Sequence, residues 1–200
     1  MKLSRNCNLT GLMMLIIVAI VTASVRSETE PNREYRIKVA FLYNFIKFID
    51  WPKEKIADNN EPITIGIIGK DPFGDAFEPL KNKQLKSKKV AIKRFKSLEK
   101  MKKADSEGKQ ELDKQIEMIR KCHILFICSS EQENLGEIIN LVKEHNVLTV
   151  AEVTGFLKAG GIINLLMEEE KVRFEINASA AKKAGLKVSS ELLRLAKEVI

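Results

Sequence analysis

Few residues of this chain have the type and spacing to do chemistry. The only histidines are His123 and His145, and neither has a second His, Cys or carboxylate at ligand spacing on a shared helix face. Cys122 and His123 are neighbours on an expected strand, where adjacent side chains point to opposite faces of a sheet. No metal site is expected. Ser129-Ser130 stands between an expected strand and an expected helix, the placing of a nucleophile turn. No Gly-x-Ser-x-Gly surrounds it, so helix capping by Ser130 accounts for it better. Gly66-Ile67-Ile68-Gly69 is neither a Walker loop nor a dinucleotide fingerprint. The stretch 69–74 could offer amides to an anion at a helix N-terminus, but Asp71 would repel it. The acids Glu168, Glu169 and Glu170 read as a solvated hairpin tip, and Asn177-Ala178-Ser179 as a helix cap rather than a glycosylation acceptor. No catalytic residue is assigned and no cofactor is implied, which puts binding or regulation ahead of catalysis.

The cysteines narrow the chemistry further. Cys7 precedes the apolar N-terminal run, and the remainder of the chain holds only Cys122 and Cys128. Both belong to the run Cys122-His-Ile-Leu-Phe-Ile-Cys128, which reads as a buried strand. Six residues of strand separate them by about 20 Å, whereas a disulfide needs Cα atoms within about 7 Å. They are therefore read as free thiols. Buried structural cysteines are one account of them, and an intermolecular bridge or a redox-sensing thiol is the other.

The elements that must position these residues follow from periodicity. Residues 34–50 read as a helix with an apolar stripe at Ile37, Phe41, Phe45 and Phe48, widened by Val39, Ala40, Leu42, Ile46 and Ile49. Trp51-Pro52 stops it, and residues 27–33 before it read as a polar, mobile start. Residues 63–69 form a short apolar strand in which Gly66 marks a close backbone approach. Residues 73–80 suggest a short helix behind Asp71 and Pro72, and 89–95 a basic strand. The charge-dense segment 100–121 is broken near Gly108, with Leu112, Ile116 and Ile119 at helix spacing in its second half. Strand 122–128, helix 131–144 and strand 147–151 follow. Next comes a hairpin of 162–167 with 171–176, then a small-residue helix 178–184 capped by Asn177 and closed by Gly185. A final amphipathic helix runs from Ser189 or Ser190 through Val199. Strand and helix alternate and most strands are continuously apolar. The expected fold is a single α/β layered domain, a mixed and mostly parallel sheet flanked by helices, with a late β-hairpin.

The N-terminus reads as an export leader. Lys2 and Arg5 precede an apolar run, 12–23, interrupted only by Thr22, and small residues follow at Ala23, Ser24 and Ser27. This is the pattern of a Sec-type signal peptide, and the run is shorter than the roughly 20 residues a spanning helix needs. Cleavage after Ser27, or else after Ser24, leaves residues 28–200 as one domain in the periplasm; an uncleaved signal anchor is the alternative. Losing Lys2, Arg5 and Arg26 and no acid lowers the formal net charge from +7 to +4. In what remains the lysines alternate with glutamates and the aromatics sit in apolar runs, which argues against nucleic acid as a partner.

Several stretches together carry a resemblance. They are Phe41-Leu-Tyr-Asn-Phe45 with Trp51-Pro52, Gly69-Lys-Asp-Pro-Phe-Gly-Asp75, Gly160-Gly-Ile-Ile-Asn164, and Val172-Arg-Phe-Glu-Ile-Asn177 with Ala184-Gly-Leu-Lys187. In this order they resemble the YfiR family of periplasmic proteins across nearly the whole exported chain. The resemblance implies an α/β sandwich that forms homodimers and works without catalysis. It implies a regulator that holds down an inner-membrane diguanylate cyclase by binding its periplasmic domain, from which an outer-membrane lipoprotein can draw it away. Cyclic di-GMP output and biofilm formation then rise. Some members sit beside sensor kinases. The resemblance also implies a disulfide brace. Cys122 matches one such cysteine, but its expected partner position is Gly66, and the second pair, near 155–164, is missing. In strand 171–176 Val172, Phe174 and Ile176 point one way, leaving Arg173 and Glu175 on the other face. Arg173 and Glu175, with Ala181 and Lys183 of the next helix, form the expected partner-binding patch, exposed and with an apolar centre. The competing account is a solvated strand face and ordinary helix packing. A second class of function is a small-ligand sensor with a pocket at the carboxyl ends of the parallel strands.

Overall fold

A computed structural model describes residues 30–56, 61–81, 83–104 and 109–200. The leader read at residues 1–27 and its cleavage site lie outside the described residues. Helix α1 spans Glu30–Phe48, so residues 30–33, expected as an irregular start, are helical, with Pro31 in the first turn where its missing N–H costs nothing. The buried stripe is Val39, Leu42, Phe45, Ile46 and Ile49, joined by Lys38, whereas Ile37 of the expected stripe is 40% exposed. Strand β1 (Ile49–Asp50) and the short α2 (Lys53–Ile56) follow, then β2 (Ile63–Ile68), every residue of which is buried. Residues 73–80 do not form the expected α-helix. Gly74 takes φ +53° and turns the chain, and only a 3₁₀ turn, Glu78–Leu80, remains.

Strand β3 (Gln84–Leu85) and strand β4 (Lys88–Phe95) precede two helices, α3 (Leu98–Ala104) and α4 (Lys109–Arg120). Strand β5 is Ile124–Ile127, shorter than the expected 122–128. Cys122 belongs to the turn before it, its amide bonded to the Ile119 carbonyl. The helix expected at 131–144 is a 3₁₀ segment, Ser129–Asn134, leading into α5 (Leu135–Val142). Strand β6 is Leu148–Ala151, and β7 (Ile163–Glu168) and β8 (Lys171–Ile176) make the expected hairpin. Its turn residues Glu169 and Glu170 both have positive φ, +49° and +60°, the twist that suits a two-residue hairpin. Helix α6 (Ala178–Lys183), β9 (Lys187–Val188), α7 (Ser190–Leu195) and β10 (Glu198–Val199) complete the chain. The last helix is therefore shorter than expected and ends in a strand.

The eight-stranded sheet runs β10-β8-β7-β6-β5-β2-β4-β3. Strands β4, β2, β5, β6 and β7 are parallel, β8 is antiparallel to β7, and β10 lies parallel to β8 at one edge. A separate two-stranded antiparallel sheet pairs β1 with β9. This bears out the mixed α/β architecture. Side chains alternate across the sheet: in β5, Ile124 and Phe126 enter the layer beneath α1 and α6, and Leu125 and Ile127 enter the layer beneath α3, α4 and α5. Two apolar layers explain why the central strands are apolar at almost every position, Thr64 and Thr149 excepted.

Candidate functional site

The chain order of the parallel strands fixes where a site can lie. After β2 the chain crosses to β4 on one side, and then to β5 on the other. Ligands of open α/β sheets settle outside the carboxyl ends of the strands where successive connections part in this way. Here the loops after β5 and β6 carry two polar clusters, one around the buried Glu131 and one around the buried Lys38.

At the end of β5, Glu131 is fully buried. Its Oε2 accepts from the Leu98 amide at 3.1 Å and from Asn134 Nδ2 at 3.3 Å, and its Oε1 accepts from the Ser130 hydroxyl at 3.4 Å. A carboxylate aimed at the first amide of α3 is favoured by the unpaired N–H groups there. Ser130 does not cap the following helix; its Oγ accepts from the Lys70 amide at 2.9 Å. The turn that allows this needs Gly69, at φ +103°, because an added Cβ would stand 2.5 Å from Ser130 Oγ. Asp71 accepts from the Phe73 amide at 2.7 Å and pairs with Arg94 Nε at 2.5 Å.

At the end of β6 a second cluster ties α1 to the sheet. Lys38 is 3% exposed, and its Nζ meets the carboxylates of Glu34 and Glu152. The Tyr35 hydroxyl donates to Glu152 Oε1 at 2.9 Å. Burial, then the bond to Glu152 and its charge, hold the Tyr35 phenol well above its ordinary range. Sequence reading missed this cluster. Its signal was a lysine at position 38 in a row with Leu42, Phe45 and Ile49, because a lysine on a buried stripe requires a carboxylate from elsewhere.

The thiols are placed as free and buried. Cys122 lies in the layer beneath α3 to α5 and Cys128 in the layer beneath α1, so they face opposite sides of the sheet. Burial pushes the Cys122 thiol up to about 11. Burial, then the negative charges of Asp71, Glu152 and Glu131, push Cys128 up to about 12. Such thiols are poor nucleophiles, in keeping with buried structural cysteines. His123, 6% exposed, uses Nδ1 to accept from the Thr64 amide at 3.1 Å, and burial followed by the Lys55 charge drives it down to about 4. Its chemistry is that of a neutral acceptor built into the sheet.

The expected partner patch is divided by the fold. Arg173 is exposed and Glu175 half-buried, on the face of β8 opposite Phe174, which packs edge-on against Phe41 and Phe45. Ala181 is 1% exposed and belongs to the core, so it is not the apolar centre of a surface; α6 turns that side onto the sheet. Lys183 is exposed and lines a groove between α5 and α6, with Asn140, Lys143 and Glu144 on the far wall.

The sequence matches the YfiR/HmsC-like family over residues 35–197. The chain belongs to that family. The YfiR/HmsC-like proteins are regulators in general. Among solved structures, a conserved domain protein from Vibrio cholerae O1 biovar El Tor is similar in fold, with TM-score 0.52 and 12% identity. The match covers 83% of this chain and 60% of that one, so the chain spans about three fifths of its length. An ABC domain from Streptococcus pneumonia, solved in complex with L-Trp, gives TM-score 0.48 at 12% identity, covering 68% of this chain and 55% of that one. No curated protein matches the sequence. The cysteine position that the YfiR resemblance leads one to expect is occupied here by Gly66, and an added Cβ there would lie 2.8 Å from Cys122 Sγ.

Proposed function

We propose that the protein is a periplasmic, non-enzymatic regulator that binds the periplasmic part of an inner-membrane signalling protein, a diguanylate cyclase or a sensor kinase, and restrains it. The observation that carries this reading is the YfiR/HmsC-like match from residue 35 to residue 197, nearly the whole described chain. A leader-like N-terminus supports export. No helix among the described residues is long and apolar enough to cross a membrane. The regulator acts as a homodimer, and an outer-membrane lipoprotein relieves the restraint by competing for it. Arg173 and Glu175 on β8 make one contact with the partner and Lys183 on α6 a separate one, while Ala181 stays in the core.

Crosslinking of tagged protein in intact envelopes, followed by capture and mass spectrometry, tests the reading. A membrane cyclase or kinase is expected in the captured material; recovery of the protein alone overturns it. Glu175→Lys and Lys183→Glu each weaken that capture about tenfold or more, the scale of a lost charge pair at an interface, while the melting transition stays cooperative. If both variants restrain output normally while folded, both contacts are wrong. A small-ligand sensor is the second reading, favoured by the crevice at the carboxyl ends of β2 and β4.

A further inference from the structure

The loops that leave β2 and β4 enclose a crevice of about 510 Å³ whose walls carry Lys70, Arg94, Lys96 and Lys100, with Ser97 and Ser130 between them. The charges are not equivalent. Arg94 is committed, Nε to Asp71 at 2.5 Å and Nη2 to the Gly74 carbonyl at 3.2 Å. Glu131, the one carboxylate of the wall, has both oxygens engaged by Leu98, Asn134 and Ser130. Among the described residues Lys70, Lys96 and Lys100 have no carboxylate partner. Three exposed lysines border one concavity whose own carboxylate, Glu131, is buried, so the positive charges of the wall outnumber its one negative charge and a multivalent anion would offset the excess.

The surrounding backbone suits the same occupant. The objection to an anion at this turn is Asp71, and in the structure its charge is already paired with Arg94. The Lys70 amide is spent on Ser130, so side chains rather than backbone supply the donors. Ser97 Oγ accepts from the Lys100 amide at 3.3 Å, which leaves its own proton free to donate into the crevice. The place is the one that open α/β sheets use for ligands, beside the point where the connections from β2 diverge.

We propose that this crevice binds a small multivalent oxyanion of the phosphate class, free or as the phosphate of an organic ester, held by Lys70, Lys96 and Lys100. The inference rests on the ligand-sensing reading of the carboxyl edge and not on the capture of a membrane partner. Calorimetric titration of the purified protein with inorganic phosphate and with glycerol phosphate, ionic strength held constant with potassium chloride, tests it. Saturable binding of at least one is expected, and the tighter of the two distinguishes free phosphate from an ester. Lys70→Glu/Lys100→Glu weakens binding by about tenfold or more. Lys187→Glu, a charge reversal on the separate β1–β9 sheet, leaves it within about twofold. Should the double variant fail to melt cooperatively, Lys96→Gln alone replaces it, with a smaller loss expected. Absence of saturable heat with both anions, or an equal loss in Lys187→Glu, overturns the proposal. Neither result bears on envelope capture, which is read through Glu175 and Lys183.

Discussion

With its Nδ1 accepting the Thr64 amide and the Lys55 ammonium close by, the His123 ring can take a second proton only by giving up that bond and burying a like charge. Its pKa falls from 6.5 to about 4 in the folded protein. The unfolded chain therefore binds the proton more readily between these values, and stability falls as pH drops from 6.5 towards 4. The stability is fully present above the unfolded value and lost by the folded one, a span worth about 3 kcal/mol. Urea unfolding at neutral pH and at mildly acidic pH measures it. His123→Asn keeps an acceptor for the Thr64 amide without a titrating ring. It is expected to flatten this part of the pH profile; an unchanged slope assigns the effect elsewhere.

Elements with a local cause could be read from the sequence, and those made by pairing could not. Strand β2 stands out as an apolar run, the β7–β8 hairpin by its acidic turn, and α6 by Asn177, whose Oδ1 accepts from the Ala180 amide at 2.8 Å. The two-residue strands β1, β3, β9 and β10 carry no pattern of their own and exist only through their neighbours. Helix 131–144 was misplaced at its start because Ser130, a good cap by type, serves Lys70 sixty residues earlier in the chain. The clusters at the carboxyl edge were hidden for the same reason, since Lys38 and Glu152 lie 114 residues apart. One cross-element relation can be tested directly. Because β2 and β5 are neighbours and a Cβ at Gly66 reaches to 2.8 Å from Cys122 Sγ, Gly66→Cys is expected to join β2 to the turn before β5 by a disulfide. Mass spectrometry without reductant would then find the variant lighter by two hydrogens. Persistence of both thiols would mean that Phe95 and Leu125, 3.0 and 3.1 Å from the same Cβ, do not yield.

At the scale of the whole molecule, the sheet separates two apolar layers that share no side chain. Phe45, Phe126 and Phe174 fill one, and Phe95, Ile119 and Phe156 fill the other. The first is closed by α1, whose hold on the sheet includes the buried Lys38–Glu152 pair; the second is closed by α3, α4 and α5. The two layers need not open together, since regions of one domain can unfold with different free energies. The paired placement of Cys122 and Cys128 gives each layer its own clock. Both thiols are inert while covered, so the rate at which an alkylating reagent marks each one, read peptide by peptide, times the exposure of its side alone. If a partner or an anion steadies one face, that face's cysteine should be protected and the other should keep its pace, which would locate the contact without any label being introduced.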